Sequence, residues 1–298
     1  MSKSQTILVT GSTGQLGQSI QSIVIDYPNY EFVFANRQQL DLSNETSITN
    51  FFEHKNFEII INCAAYTSVD KAESEPELAN QVNHLAVKQL ADIAKQHHSK
   101  LIHISTDYVF SGKHYRPYLE TDEVAPHGVY GKTKLLGDEV IQQTLKTNAI
   151  IIRTSWVYSE YGNNFVKTML KLGQEHDSLN VIFDQVGTPT YARDIAKAIM
   201  SIVQSEEFNQ IDFKTNIVHF SNEGLCSWYD FAKTIFELTN IQCQVSPIET
   251  KGYPTPATRP HYSVLNKAKI KQMFNLTISY WKDSAEECLT ALHNKKAS

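Results

Sequence analysis

Long apolar runs are missing from this 298-residue chain. None approaches the roughly 20 residues that a membrane-spanning helix needs. The amino terminus, MSKSQTILVTG, passes into strand-like sequence at once and leaves no room for a leader. Basic excess is missing too. With 27 Lys and Arg against 32 Asp and Glu, net charge −5 and a pI near 6.1, the composition argues against a general nucleic-acid or anionic-membrane binder. Cysteine is scarce: Cys63, Cys226, Cys243 and Cys288 are scattered, with no Cys-x-x-Cys spacing. That excludes a disulfide framework or a cysteine zinc site and points to a reduced, cytoplasmic protein. The histidines are dispersed, so no metal is expected, and His103 reads as a packed strand residue. No internal repeat or low-complexity tract occurs.

What is present is a globular composition, 41% hydrophobic and 20% charged, long enough for one large domain or two intimate ones. Over the first half, nearly continuous Ile, Leu and Val runs recur: TILVT (6–10), EFVFA (31–35), EIIIN (58–62), KLIHIS (100–105) and AIIIRTSW (149–156). Such runs suit strands buried on both faces of a parallel sheet. Helix-like stretches lie between them, clearest at 76–97, which opens on Pro76 and carries Leu78, Val82, Leu85 and Leu90. The alternation predicts an α/β fold, a Rossmann-type doubly wound parallel sheet. After about residue 155 the rhythm loosens. Helices are expected near 163–174, 191–204 and 227–240, strands near 180–183, 216–220 and 243–247, and a proline-containing segment over 251–266. The expected division is a dinucleotide-binding domain over 1–155 and a smaller α/β substrate domain over 156–298, with a soft boundary that the chain crosses.

Directly after the first strand comes GSTGQLG, with Gly11, Gly14 and Gly17 three apart and Thr13, Gln15 and Leu16 among them. The first glycine permits a tight turn, the second a close approach of backbone N–H groups to a pyrophosphate, and the third close helix packing. Glycine turns also have purely structural uses, so the place between strand and helix is what favours a nucleotide. NAD sites hold the ribose 2′-hydroxyl with an acid about 20 residues further on. Here that place reads FANRQQLDLS, putting Asn36 and Arg37 in the slot. A guanidinium suits a 2′-phosphate by charge and by its forked donors, although an ordinary exposed arginine would look the same. NADPH is therefore expected, with NADH as a second option and Asp41 near the adenine.

Two tyrosines have a lysine four residues on, Tyr130 with Lys134 and Tyr229 with Lys233. Such pairs are cheap in a chain with 14 tyrosines. Context separates the two. Tyr130 opens the helix after the fourth strand and so stands at the carboxyl edge of the sheet, where doubly wound folds bind ligands. Tyr229 heads the amphipathic WYDFAKTIFEL and suits packing. Four residues of helix rise about 6 Å and return to the same face, so Lys134 can sit beneath the Tyr130 hydroxyl and favour its ionised form. A phenol so placed can protonate a carbonyl oxygen. Upstream, ISTDYVFSG brings Ser105, Thr106 and Asp107 to the same edge, where a hydroxyl can hold a carbonyl; turn chemistry is the plainer use of such residues.

Taken with NCAAYTSVDKAESEPELA, RTSWVYSEYGNNFV, DQVGTPTYARDIA, SNEGLCSWYDFA and YPTPATRPHYSVL, these stretches resemble the extended short-chain dehydrogenase/reductases. Within that superfamily the chain resembles the dTDP-4-dehydrorhamnose reductase family over nearly its whole length. The resemblance implies NADPH-dependent reduction of the C4 ketone of a dTDP-sugar, dTDP-4-dehydro-L-rhamnose, by a cytoplasmic enzyme. It implies Thr106, Tyr130 and Lys134 as catalytic residues. Gly11, Gly14, Gln15 and Leu16 would form the dinucleotide turn, with Asp41 and Leu42 near the adenine and Ala64, Ala65 and Thr67 on the nicotinamide side. Val69, Asp107, Tyr108 and Trp156 would touch the sugar, and Asn164 and Arg259 the diphosphate, unless these two are simply a loop amide and a surface arginine. The Asp–Glu pair of related dehydratases is absent, since Asp107 is followed by Tyr108. Members that dimerise through magnesium carry a glutamate where this chain has Ser19, so a monomer or weak homodimer is expected. Two alternatives stay open: a 4-ketoreductase of another dTDP-deoxysugar, such as a 6-deoxytalose type, and a non-catalytic NADP-binding regulatory subunit of a methionine adenosyltransferase.

Overall fold

The computed structural model describes residues 4–297. Strands β1 (Gln5–Thr10), β2 (Tyr30–Ala35), β3 (Ile59–Asn62), β4 (Lys100–Thr106) and β5 (Ala149–Thr154) form a parallel sheet with a sixth strand, Asn216–His219. The order is β2-β1-β3-β4-β5 and then Asn216–His219. The chain winds one way from β1 to β2 and the other way from β3 onward. The crevice at the carboxyl ends of β1 and β3 is therefore the switch point at which such sheets bind ligands.

Both faces of the sheet are covered, which is why its strands read as unbroken apolar runs. Ile7, Val9, Ile59, Ile61, Ile102, Ile150 and Ile152 point into one core with Leu16, Ile20, Ile195 and Ile199. The alternate residues Leu8, Ile60, Leu101 and Ile151 point into the other, with Ile48, Leu90 and Ile141. Each such side chain contributes roughly 1.5–3 kcal/mol by leaving water.

The sheet draws on both halves of the sequence. Helix Ala192–Gln204 packs its apolar side on the sheet against helix Gln15–Gln21, and Asn216–His219 pairs with β5. The second lobe has its own core, built from Tyr158, Met169, Tyr191, Phe231, Ile235, Trp281 and Cys288. It contains a parallel pair, Ser178–Ile182 with Gln244–Ile248. All four cysteines are free thiols. No helix of the described residues is long and apolar enough to cross a membrane.

The stretch 76–97 is helical but not uniform. Pro76–Asn80 and Ala86–His97 are α-helical, and the intervening Gln81–Leu85 is a wide π-turn. Such a turn rotates one side chain out of the regular face. Here Asn83, fully buried, accepts from Tyr66 N (2.8 Å) and donates to Tyr66 O (3.1 Å) and Thr133 Oγ1 (3.2 Å). It ties the loop after β3 to helix Val129–Thr144.

Candidate active site

A cleft of about 710 Å³ opens at the carboxyl edge of the sheet. The glycine turn forms one wall. Gly11 has φ +62, a left-handed conformation that favours glycine, and a Cβ there would lie 2.9 Å from Ala64 N and Cα. Gly14 caps helix Gln15–Gln21 without a side chain, leaving the N–H groups of its first turn without capping by that residue. Gly17 is not on the wall. A Cβ there would meet Gly11 O at 2.5 Å, so this glycine lets the helix close on the turn.

Thr13, Gly14, Gln15, Leu16, Arg37, Asp41 and Leu42 line the same end of the cleft. Arg37 is exposed and reaches Asp41 Oδ1 at 3.4 Å and Ser43 Oγ at 3.3 Å. Arginine, serine and acid thus stand together at this end of the cleft. Ala64, Ala65, Thr67 and Val69 continue the wall past Gly11.

Opposite them, Thr106 ends β4, and Tyr130 and Lys134 rise from helix Val129–Thr144. That helix begins at Gly128 with no side-chain cap of its own. Its first free amide, Val129 N, donates instead to Glu73 Oε1 at 2.8 Å. Glu73 follows the short helix Val69–Ala72 and so fixes the start of the Tyr130 turn from outside.

The Tyr130 ring meets Tyr108 edge-on, with centroids 5.4 Å apart. Burial pushes its phenol up to about 12; a hydrogen bond with Thr106 pulls the other way, while Asp107 and Asp138 add to the rise. The phenol is therefore protonated at neutral pH. Thr106 Oγ1 donates to Asp107 Oδ1 at 3.0 Å and accepts from Tyr108 N at 3.2 Å. Burial raises the Asp107 carboxyl to about 6, against the lowering effect of hydrogen bonds from Ser263 and Thr106.

Lys134 is almost wholly buried, and its Nζ donates to Ile104 O at 2.6 Å and lies 3.1 Å from His103 Nε2. Burial lowers it to about 8, with Asp138 acting the other way. The sequence puts the lysine on the tyrosine's face of the helix. The structure shows that its nitrogen is gripped by β4, while burial pushes the Tyr130 phenol up rather than down.

Trp156 closes the cleft on the side of the second lobe. It has φ +49, rare for a bulky residue, and stacks on Trp228 with centroids 3.5 Å apart and planes 8° from parallel. Tyr229 and Lys233, the rival pair, do not line the cleft; Lys233 Nζ lies over the Tyr229 ring at 5.7 Å.

Two predicted residues are also off the wall. Asn164 caps helix Phe165–Glu175 and donates to Gln15 Oε1 at 2.9 Å, locking the glycine turn to the second lobe. Arg259 forks onto Asp70 at 3.1 and 2.7 Å, joining the proline-containing segment to helix Val69–Ala72. Ser43, Cys63, Ser155, Gly162 and Asn163 line the cleft without having stood out in the sequence. Cys63 had a signal, its place between Asn62 and Ala64. Glu73 and Trp228 act from beyond the cleft and had none.

A family model, the RmlD substrate binding domain, matches residues 5–294. The chain belongs to that family. It is 43% identical over 282 residues to the dTDP-4-dehydrorhamnose reductase of Aggregatibacter actinomycetemcomitans, covering 92% of this chain and 95% of that one. Among solved structures, a dTDP-4-dehydrorhamnose reductase from Clostridium acetobutylicum superposes with TM-score 0.90 at 41% identity, over 97% of this chain and 99% of the other. One from Bacillus anthracis, solved in complex with NADP, gives 0.89 at 34% identity, over 96% and 99%. Family membership and the α/β fold with its parallel sheet are what the strand runs and motifs predict.

Proposed function

We propose that this chain is a dTDP-4-dehydrorhamnose reductase, taking dTDP-4-dehydro-L-rhamnose to dTDP-L-rhamnose with NADPH. The observation that supports it best is the meeting, in one cleft, of the Gly11–Gly14 turn, Arg37, Thr106 and a protonated Tyr130. The relatives of nearly equal length carry the substrate assignment.

The residues present fit the dinucleotide. Gly11 keeps open a space that a Cβ would fill against Ala64, and the uncapped turn offers N–H groups to a pyrophosphate. Arg37 and Ser43 offer donors for a 2′-phosphate. When bound, NADPH supplies the hydride for C4. Tyr130 gives its proton to the sugar's carbonyl oxygen as negative charge develops there, and Thr106 helps hold that oxygen by turning its hydroxyl proton to it from Asp107. Reduction needs the phenol protonated, and burial keeps it so. Val69, Tyr108 and Trp156 shape the sugar's pocket, and Asp107 orients Thr106. Asn164 and Arg259 act through Gln15 and Asp70. With Tyr108 after Asp107, the neighbouring position has no carboxylate to expel water across C5 and C6.

The enzyme is read as cytoplasmic, and as a monomer or weak homodimer. Ser19, buried, spends its hydroxyl on Gln15 O at 2.9 Å and brings no carboxylate for a shared magnesium. The test is substrate-dependent NADPH oxidation with enzymatically made dTDP-4-dehydrorhamnose and NMR of the product. Tyr130→Phe is expected to lower kcat about 10²- to 10⁴-fold. Unchanged turnover in that variant removes the assigned proton donor, and a 6-deoxytalose product replaces the substrate reading with the related one.

A further inference from the structure

Lys134 has a buried partner that the steps above do not use. His103 Nε2 lies 3.1 Å from Lys134 Nζ, and His103 Nδ1 lies 3.0 Å from Asn62 Nδ2. Thr10 Oγ1 donates to Asn62 Oδ1 at 2.7 Å and accepts from Ala64 N at 3.2 Å. Thr10, Asn62 and His103 are at most 1% exposed and are direct neighbours across β1, β3 and β4. A buried polar chain thus runs from the lysine to Ala64, which lines the cleft, and to Thr10, whose neighbour Gly11 lines it.

Donor counting gives the chain a direction. With Ala64 N–H donating to Thr10, the threonine proton goes to Asn62 Oδ1 and the Asn62 amide donates to His103 Nδ1. Burial, with Lys134 beside it, keeps His103 far below its ordinary pKa and so uncharged. A neutral ring that accepts at Nδ1 carries its proton on Nε2. That proton faces Lys134 Nζ. Two donors cannot share one hydrogen bond, so this tautomer matches the uncharged amine, which still donates to Ile104 O. The ammonium matches the other tautomer, with Nδ1–H toward Asn62 Oδ1, the amide turned over, and the Thr10 hydroxyl rotated so that its oxygen accepts from the Asn62 NH2.

We propose that His103 is a positioning residue for Lys134: its tautomer, set through Asn62 and Thr10, holds Nζ on β4 and couples the lysine's charge to the dinucleotide wall of the cleft. The proposal rests on the reductase reading only for the place of Lys134 among the catalytic residues. The hydrogen-bonded chain itself does not. The other groups facing the lysine are Asp138, one turn on and paired with Arg153 of β5 at 3.0 Å, and Tyr130, one turn back. β1 and β3 bring only the uncharged Thr10 and Asn62.

The test uses the whole chain labelled with ¹⁵N-histidine, the His103 ring signals being assigned by their loss in His103→Gln. Between about pH 6 and 9 the ring is expected to stay neutral while its proton moves from one nitrogen to the other. The transition should fall near pH 8, where burial places Lys134, and should vanish in Lys134→Met. Ring shifts that stay flat, or that ignore Lys134→Met, overturn the proposal. In turnover, His103→Phe is expected to lower kcat roughly 10- to 100-fold and to move the pH profile. His103→Gln, which keeps a hydrogen-bonding group where Nε2 stood, restores most of the rate. Equal losses in both variants with an unmoved profile mark a merely structural histidine and overturn the proposal. Absence of turnover in the unsubstituted enzyme strikes the reductase reading alone, and the ring-nitrogen titration still decides this one.

Discussion

Gly187→Ala probes how the sugar side of the cleft is held. A Cβ at residue 187 would lie 2.6 Å from Trp156 Cε2, 2.8 Å from Cζ2 and 2.7 Å from Ser263 Oγ. Carbon atoms in contact settle about 3.5–4.0 Å apart, so the indole would have to move by roughly 1 Å. It has nowhere to go. Trp228 is already stacked on the indole with centroids 3.5 Å apart, and Trp228 is itself packed against Phe165 at 4.6 Å. Overfilling of this kind costs about 1–3 kcal/mol. At roughly 2–4 °C per kcal/mol for a chain of this order, Tm should fall by several degrees. Because Trp156 lines the cleft, KM for the sugar nucleotide should rise about tenfold, equivalent to 1.4 kcal/mol, while KM for NADPH stays as it was. Trp228→Leu, added to Gly187→Ala, gives the indole room and should recover part of the lost Tm. Melting curves and initial rates with each substrate varied read all of this. A Gly187→Ala enzyme with unchanged Tm and unchanged sugar-nucleotide KM would refute the idea that Trp156 is wedged between Gly187 and Trp228.

Arg37→Glu removes the guanidinium beside Ser43 and adds an acid, so kcat/KM with NADPH should fall roughly 10- to 100-fold relative to that with NADH; an unaltered ratio would remove Arg37 from the 2′-phosphate. Glu73→Ala leaves Val129 N without its acceptor, which should destabilise the chain by about 1 kcal/mol in urea titration and lower kcat several-fold with little change in NADPH binding. Asp107→Asn tests a pH dependence whose sign follows from burial. A carboxyl raised to about 6 contributes stability below its unfolded value near 4, and that contribution is lost as pH rises through 6. The cost reaches up to about 3 kcal/mol above pH 6. The amide does not titrate, so the variant should gain on the parent between about pH 4 and 7, and parallel urea-midpoint profiles would contradict the assignment.

Five of the six sheet strands are legible because burial on both faces writes them as apolar runs. The sixth, Asn216–His219, is legible as a strand but not as a neighbour of β5, since pairing between distant segments leaves no local pattern. The same limit applies within the site. Helical spacing puts Tyr130 and Lys134 on one face, but a four-carbon side chain goes where its partners are, and those belong to β4. His103 reads as a packed strand residue and is indeed wholly buried, yet its bonds to Asn62 and Lys134 depend on strand register, which sequence does not display. The π-turn at Gln81–Leu85 is likewise silent, because its residues keep a helical composition while Asn83 is turned toward Tyr66 and Thr133.

The two tyrosine–lysine pairs differ most at the ends of their helices. Helix Trp228–Thr239 closes its own start: Ser227 and Asp230 form a reciprocal capping box, so the first turn needs nothing from elsewhere. The position of Tyr229 then follows from that helix alone. Helix Val129–Thr144 begins at Gly128 with no such device and takes its acceptor from Glu73, next to the segment that carries Val69 and Asp70. Its Gly131 faces Tyr108 O so closely that a Cβ would lie 2.4 Å away. Tyr130 is thus located by three separate pieces of chain, the helix, the Glu73 segment and the turn after β4, and not by its spacing from Lys134. A proton donor must meet an oxygen to within a fraction of an ångström, and a helix referenced to the walls of the cleft meets that requirement where a self-capped one does not.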